Sequence, residues 1–494
     1  MNEGSYDRKA EEGGKEEAVR EGAGRKKPCV PSMLARHLQG SSFLPTRAAA
    51  TRHLSVVAEA SSSSNPEYEK RNYAKNISEY NTVLSSIIGQ RRHFLLRDVY
   101  DDMLLDGIRP ERDTFHNLII GTMKGSRLQD AFFFRDEMMA TGLQPDVCFC
   151  SLHSIFLDYL LTVALYNFLI STCGKCKQSD TALLLLEEMK ANGVKPNGQT
   201  YICLLNAYAA TGRTDRVYAI VRDMTAAGLG LNKFCYAGLI NAHKNKTPLT
   251  DEINTKIIEF VKQSKGWSPV EGDSNLAENV MMSVSEEELY NIPTADFVHR
   301  RAFLNKQLTV YHVALYACAD LRSMETFDKI LEILKEDGFS PDTYIVIQAI
   351  RCYVRSGDID RGVQTLEDHL SSKPAAVELY VSLAEAAIEG YTARGMQAAQ
   401  ETLEKMSARG FFLNAKIGNE LLLAASGEKT GGFTTANYIW DLMQSRKVNV
   451  NFPACDAYLN GLKERDVPQD DPRLLLVKRT WENLRGRFSP ARAS

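Results

Sequence analysis

The sequence predicts an all-α, right-handed α-solenoid built from stacked helix–turn–helix repeats. Three observations carry that expectation. Tyr80, Phe115, Tyr166, Tyr201 and Tyr236 form a ladder with steps of 35, 51, 35 and 35 residues. Met103, Met138, Met189 and Met224, and Gly107, Gly142, Gly193 and Gly228, keep the same steps. Pro110, Pro145 and Pro196 follow three residues after the first three of those glycines. A fixed period in this range marks a repeat array, and such an array works through an extended surface rather than a buried pocket.

The first unit, Ile77–Glu111, shows why each repeat folds as it does. Val83, Leu84, Ile87 and Ile88 recur at helical spacing, which places them on one face of a first helix. Gly89-Gln90-Arg91-Arg92 reads as a turn, and Phe94, Leu95, Val99 and Met103 as the apolar face of a second helix. Gly107 suits the residue just past that helix, where positive φ costs glycine little, and Pro110 prevents continuation. Neither helix can bury its apolar face alone, so the units must stack.

Arg112–Asp146 and Gly198–Asn232 repeat the plan, the latter with Leu231 in place of the proline. Lys233 to about residue 270 is a longer, degenerate unit. Residues 77–270 thus hold repeats one to five. Residues 271–307 carry few repeat marks; SPVEGDSN and the acidic SVSEEELY suggest an exposed linker with a short helix. A second block, 308–451, holds repeats six to nine. Leu308–Asp342 is a clear 35-mer with Tyr311, Gly338 and Pro341 in place, whereas Thr343 to about Ala376, Val377–Asn414 and Ala415–Asn451 are weaker. Residues 452–494 read as C-terminal helices, the last of them, Asp471–Arg487, as the polar-faced cap that an array needs. About nine hairpins are expected.

The step of 51 contains an irregularity. Removing Cys150–Leu165 leaves a 35-residue unit that is the best repeat in the chain. We read residues 150–165 as an insertion within a first helix, sixteen codons long and consistent with a retained intron; the alternative is a real, lengthened helix. The same reading disposes of an apparent membrane span at Phe149–Cys173, which His153 and Asp158 interrupt and half of which belongs to a repeat helix, where a span needs about 20 apolar residues.

The N-terminal region is in unlike pieces. Residues 1–32 carry seven acids and little apolar content, a composition that cannot bury a core. Met33–Ala58 has no acidic residue and holds Arg36, Arg47 and Arg52 among Leu, Ser and Ala, which describes an organelle transit peptide; the alternative is a tail with no address. An acidic head would oppose import, so Met33 is the expected start and 1–32 an extension of the reading frame. Arg52-His53-Leu54-Ser55 resembles the plant mitochondrial processing pattern and implies cleavage after Leu54, with 33–54 the presequence and 55–76 a linker. The whole chain has 59 Lys+Arg against 62 Asp+Glu, net −3. Without residues 1–54 it would have 49 against 55, net −6. That is not the strongly basic balance of a protein that coats nucleic acid along its whole surface, though a local basic face is compatible with it. Ten irregularly spaced cysteines point to a reducing compartment, most of them acting as small buried hydrophobes.

Tyr80-Asn81 and Tyr166-Asn167 early in a first helix, Met late in the second, then Gly-Leu-Gln-Pro-Asp (142–146) or Gly-Val-Lys-Pro-Asn (193–197), resemble the pentatricopeptide repeat, P class, of plant mitochondrial type. The tetratricopeptide repeat, with a period of 34 and a Trp-Leu-Gly-Tyr pattern, fits less well. The resemblance is strong over 77–270 and looser over 308–451. It implies single-stranded RNA on the concave face, about one base per repeat, read by two or three side chains. The family's main reading positions are the fifth and last residues of each repeat. They fall here on Asn81 with Glu111, His116 with Asp146, Asn167 with Asn197, Ile202 with Asn232, and His312 with Asp342. Only Asn167/Asn197 matches a common family pair, one implying a pyrimidine. Ile202 cannot hydrogen-bond a base edge, and His116 and His312 are read either as base contacts or as solvated surface residues. Lys124, Lys175 and Arg355 sit at a family-typical basic place at the end of the first helix, suited to phosphate, with helix-end charges in solvent as the alternative; Ala210 and Asp320 fill it elsewhere.

No Walker loop, dinucleotide glycine motif or serine elbow is present, and no His-x-Glu with a partner Cys-x-x-Cys supports a zinc deaminase. Cys173-Gly-Lys-Cys176 stands without the second ligand pair that structural zinc needs. The expectation is therefore a non-enzyme without cofactor, metal, membrane span or small-molecule substrate. Its expected role is an RNA-binding adaptor of the mitochondrial matrix, acting on a transcript or ribosomal RNA in processing, stability or translation. The alternative is a structural protein of the mitochondrial ribosome's small subunit, docked to ribosomal RNA and proteins.

Overall fold

The computed structural model describes residues 73–141, 152–249, 252–266, 284–297, 304–429 and 431–488. The expected transit peptide, its cleavage site and Asp146 lie outside them. The described residues are helical, without a strand, and form ten hairpins rather than about nine. The first five are α1 (Ile77–Gly89) with α2 (Leu96–Leu105), α3 (Arg112–Lys124) with α4 (Leu128–Ala140), α5 (Leu152–Lys175) with α6 (Ser179–Ala191), α7 (Gly198–Ala210) with α8 (Thr214–Ala226), and α9 (Lys233–Asn245) with α10 (Ile253–Gln263). A short helix, α11 (Glu286–Leu289), stands between the blocks. The other five are α12 (Thr309–Leu321) with α13 (Met324–Glu336), α14 (Thr343–Arg355) with α15 (Ile359–Ser372), α16 (Val377–Glu389) with α17 (Ala393–Ala408), α18 (Ala415–Ala425) with α19 (Thr434–Ser445), and α20 (Phe452–Lys463) with α21 (Pro472–Phe488). The last pair is a full tenth hairpin.

The sequence ladder has a direct structural cause. The second helices α2, α6, α8 and α13 end in a left-handed glycine, with φ of 73° at Gly107, 76° at Gly193, 75° at Gly228 and 77° at Gly338. The next N–H reaches back across the last turn: Ile108 to Met103 (3.1 Å), Val194 to Met189 (3.0 Å) and Leu229 to Met224 (2.9 Å). This is the Schellman ending, in which the apolar residue after the glycine packs on the residue whose carbonyl it binds. Hence Met, then Gly, then an apolar residue recur together. The tyrosines close each hairpin from the other side. Tyr80 donates to Asp106 (2.7 Å), Tyr311 to Asp337, and the Tyr166 hydroxyl accepts from Asn192 (2.9 Å). Each partner immediately precedes the glycine. Ala227 fills that place in the fourth hairpin, and Tyr201 there is half-buried where Tyr80 is fully buried.

First helices pack on first helices in an unbroken row through α3, α5, α7, α9, α12, α14 and α16, whereas successive second helices touch far less. The tighter row is the inner side of the stack. Several expectations need correcting. Phe94 does not join the apolar face of the second helix: a 3₁₀ turn at His93–Leu95 precedes α2 and leaves Phe94 61% exposed. The terminal helix α21 is not polar on its outer face, since it exposes Leu475 and Leu476. The stretch between the blocks is not simply an exposed loop, because Leu289, Tyr290, Ile292 and Thr294 are buried.

Helix α5 has 24 residues where α3, α7 and α9 have 13. Its last 13 residues, Val163–Lys175, match the others in place, so the extra length lies on its N-terminal side. No helix among the described residues is long and apolar enough to cross a membrane. Deleting 150–165 would bring Val147-Cys148-Phe149 into the places of Val163-Ala164-Leu165, which are buried. The replaced residues are close in character, so the shortened protein is expected to fold with stability within about 1.5 kcal/mol of the full chain. Thermal melting of the two purified forms checks this, and the appearance of an unfolded or aggregated short form would count against an insertion.

Candidate nucleic-acid interface

The last residue of a repeat is the N-cap of the next first helix. Asn197 Oδ1 accepts the Thr200 N–H (2.9 Å), Asn232 Oδ1 the Phe234 and Cys235 N–H groups (3.0 and 3.1 Å), and Asp342 Oδ1 the Ile345 N–H (3.0 Å). Glu111 makes a capping box with Thr114. Asn and Asp at these places therefore have a local reason to be there.

Fifth and last residues nevertheless meet. The Thr200 hydroxyl lies 2.7 Å from Asn167 Oδ1 and 2.9 Å from Asn197 Oδ1, sharing one proton between them. His312 Nε2 donates to Asp342 Oδ2 at 2.7 Å. A third pair was not found in the sequence: Asn419 is the fifth residue of Ala415–Asn451, and its Oδ1 accepts the Asn451 N–H at 2.7 Å. That unit departs from the period of 35, which hid the match; the N-cap at Asn451 was the signal that locates it. Asn167 and His312 are both buried, so a solvated surface His312 is excluded. His116 is half-buried, and burial lowers its imidazole pKa. Ile202 is buried beside the capped end of α7, while Asn81 keeps a buried Oδ1 without a donor.

The basic residues are not loose helix-end charges in solvent. Arg355 bonds Glu389 (2.7 Å) and approaches Asp320 (3.4 Å). Asp320, read in the sequence as a gap in the basic track, is the centre of a cluster: Lys244 also pairs with it, and Arg351 lies 3.5 Å away. The Lys244 ammonium and Arg351 guanidinium flank the Tyr316 ring at 4.1 and 5.6 Å. Three cations surround the Asp320 carboxylate, and Arg355 also holds Glu389, a cluster that sequence reading, with Arg355 alone, missed. The second cluster is at the other end of the row. Lys124 pairs with Glu288 at 3.7 Å. Burial lowers the Lys175 pKa, against the opposing pull of Glu288. Burial also lowers the His93 pKa, with Lys124, Arg91 and Lys175 adding to the effect. Cys173 is buried, and burial pushes its thiol up to about 12. No group of three or more His, Cys, Asp or Glu residues among the described residues is arranged to hold a metal.

The chain matches known repeat proteins in sequence. Models described as PPR repeat family, pentatricopeptide repeat domain and PPR repeat match residues 161–210, 66–126 and 199–229. A pentatricopeptide repeat-containing protein of Arabidopsis thaliana, named as mitochondrial, is 56% identical over 424 residues, covering 86% of this chain and 92% of its own. A chloroplastic member from the same plant is 26% identical over 26% of this chain and 23% of its own. Among solved structures, the maize pentatricopeptide repeat protein PPR10 matches over 92% of this chain and 61% of its own, at 18% identity and a TM-score of 0.39. The same protein in complex with an 18-nt RNA element matches at 16% identity and 0.35, covering 92% of this chain and 58% of its own. With the extended match to the mitochondrial Arabidopsis protein and the repeat models falling on the observed hairpins, the chain belongs to the pentatricopeptide repeat family.

Proposed function

We propose that this protein is a non-catalytic mitochondrial scaffold that holds single-stranded RNA along its row of first helices. The observation that carries the reading is the convergence of fifth and last residues in three hairpins, Asn167/Asn197, His312/Asp342 and Asn419/Asn451. Polar pairs near the N-terminal ends of first helices suit base edges, and cation clusters at Lys124/Lys175 and Lys244/Arg351/Arg355, near the C-terminal ends, suit phosphates. Asn167 Nδ2 is buried without an acceptor, a donor that a pyrimidine carbonyl would satisfy after local opening. The mitochondrial address follows the name of the Arabidopsis relative and the acid-free stretch at Met33–Ala58. Matrix location with cleavage after Leu54 belongs to the same proposal, as does a role in RNA processing, stability or translation.

A second reading has its own support. Burial of Asn167 and His312 and internal pairing of most cations suit a protein that docks by shape, as a small-subunit component of the mitochondrial ribosome would. Two measurements separate the readings. With short RNAs of varied sequence, Arg355→Ala is expected to weaken binding about equally for all of them and to reduce the slope of log affinity against log salt by about 0.7. Asn167→Ala should weaken it selectively. Co-sedimentation with a ribosomal subunit, lost on magnesium removal, supports the docking reading instead. A protein that stays in light fractions and binds no RNA refutes both.

A further inference from the structure

The segment Val284–Phe297 lies across the row of first helices. Numbering each repeat from its first residue, the strap meets Lys124 at the thirteenth place of α3, Ser171 at the ninth of α5, Cys203 at the sixth of α7 and Phe234 at the second of α9. Places two, six, nine and thirteen fall on one helix face, so this is one continuous strip of the inner surface. The contacts are specific. Glu288 pairs with Lys124. Asn291 Nδ2 donates to the Ser171 carbonyl (3.0 Å), and Asn291 Oδ1 accepts from the Ser171 hydroxyl (3.3 Å). The Cys203 thiol points to the Leu289 carbonyl (3.9 Å), and the Tyr290 ring packs on Phe234 with centroids 4.8 Å apart. Further along, Asp296 reaches Arg91 (3.3 Å) and Phe297 packs edge-on to Tyr344 (5.1 Å).

The chemistry of these contacts is that of a nucleic-acid strand. Carboxylates of Glu288 and Asp296 take the cations at Lys124 and Arg91 respectively, where phosphates would go, and aromatic rings lie on Phe234 and Tyr344, where bases would stack. We infer that Val284–Phe297 is an internal competitor that occupies the RNA face, so that RNA engages the first helices of hairpins two to five only when the strap has been displaced. The inference rests on the RNA reading above. Binding and displacement are then one coupled equilibrium: apparent affinity falls by the fraction of molecules with the face open.

The test compares the full chain with a variant in which 284–297 is replaced by a Gly/Ser segment of equal length. A random-sequence single-stranded RNA pool is the probe, at low salt, read by fluorescence anisotropy. The variant is expected to bind at least about tenfold more tightly, a face open in a tenth of molecules or fewer. Glu288→Gln with Asp296→Asn, which removes charge and keeps the packing, should give a smaller gain in the same direction. In the unaltered chain, hydrogen exchange at 284–297 should rise when RNA is added, a readout that does not depend on the variants folding. RNA binding by the intact chain with no gain in either variant and no change in exchange overturns the strap and leaves the RNA reading standing. Absence of binding by every form overturns the RNA reading itself, and the strap's role with it.

Discussion

Trp440→Ala is expected to destabilise the C-terminal end of the array by about 3–5 kcal/mol. Trp440 is 1% exposed, and its ring stacks on Tyr458 with centroids 5.0 Å apart. Tyr458 in turn stacks on Phe433 at 5.5 Å, and the Arg465 guanidinium lies over the Phe433 ring at 4.0 Å. These rings join α19 to α20, so removing the indole opens a void between hairpins nine and ten. In a solenoid each repeat contacts chiefly its neighbours, so the loss should stay local. Hydrogen exchange should show α18–α21 losing protection at temperatures where α3–α9 retain it. Uniform loss along the chain, or none, would show that the stack is not divided in this way.

Asp342→Ala should cost about 2–4 kcal/mol, because one carboxylate serves two elements. It caps α14 through the Ile345 N–H, accepts the Asn305 N–H at 2.8 Å and holds His312 Nε2 at 2.7 Å. A lost cap is worth about 1 kcal/mol, and the buried imidazole left without its acceptor costs about 1–3 more. The same group makes stability depend on pH. Burial alone would raise the Asp342 pKa, but the hydrogen bond and charge of His312 and the two backbone N–H groups outweigh it and hold the pKa below its ordinary value. A depressed folded pKa stabilises above the unfolded value of about 3.9 and is lost as pH falls through the folded one. The wild type should therefore lose stability in that acid window, and Asp342→Asn should flatten this part of the profile. Denaturant melts across pH 2–7 would reveal it; an unchanged acid limb in the variant refutes the assignment.

Much of this fold could be read from the chain because its punctuation is local. The Met–Gly–apolar sequence at Met189, Gly193 and Val194 is a helix ending written within one turn, and local chemistry leaves marks at a fixed spacing. The parts that were not legible depend on contacts distant in sequence. Val284–Phe297 has no period of its own, and its acids, read alone, suggested solvent; Glu288 instead pairs with Lys124, which lies far upstream. Asp320 looked like a break in a basic track until Lys244, Arg351 and Arg355 were seen around it. Asn419/Asn451 escaped because its unit is longer than 35 residues, although its fifth and last residues still meet, there through the Asn451 N–H.

The N-caps set a rule for anyone recoding this array to address a different nucleic acid. At Asn197, Asn232, Asp342 and Asn451 the last residue of a repeat has an oxygen committed to the start of the next helix. Letters outside Asn, Asp, Ser, Thr and the Glu that forms the capping box at Glu111 would be paid for in helix ends, so the practical alphabet there is short. The fifth position, by contrast, already tolerates Asn, His and Ile. An engineer seeking new addresses at least structural risk should vary the fifth residue first and keep the last within the capping set.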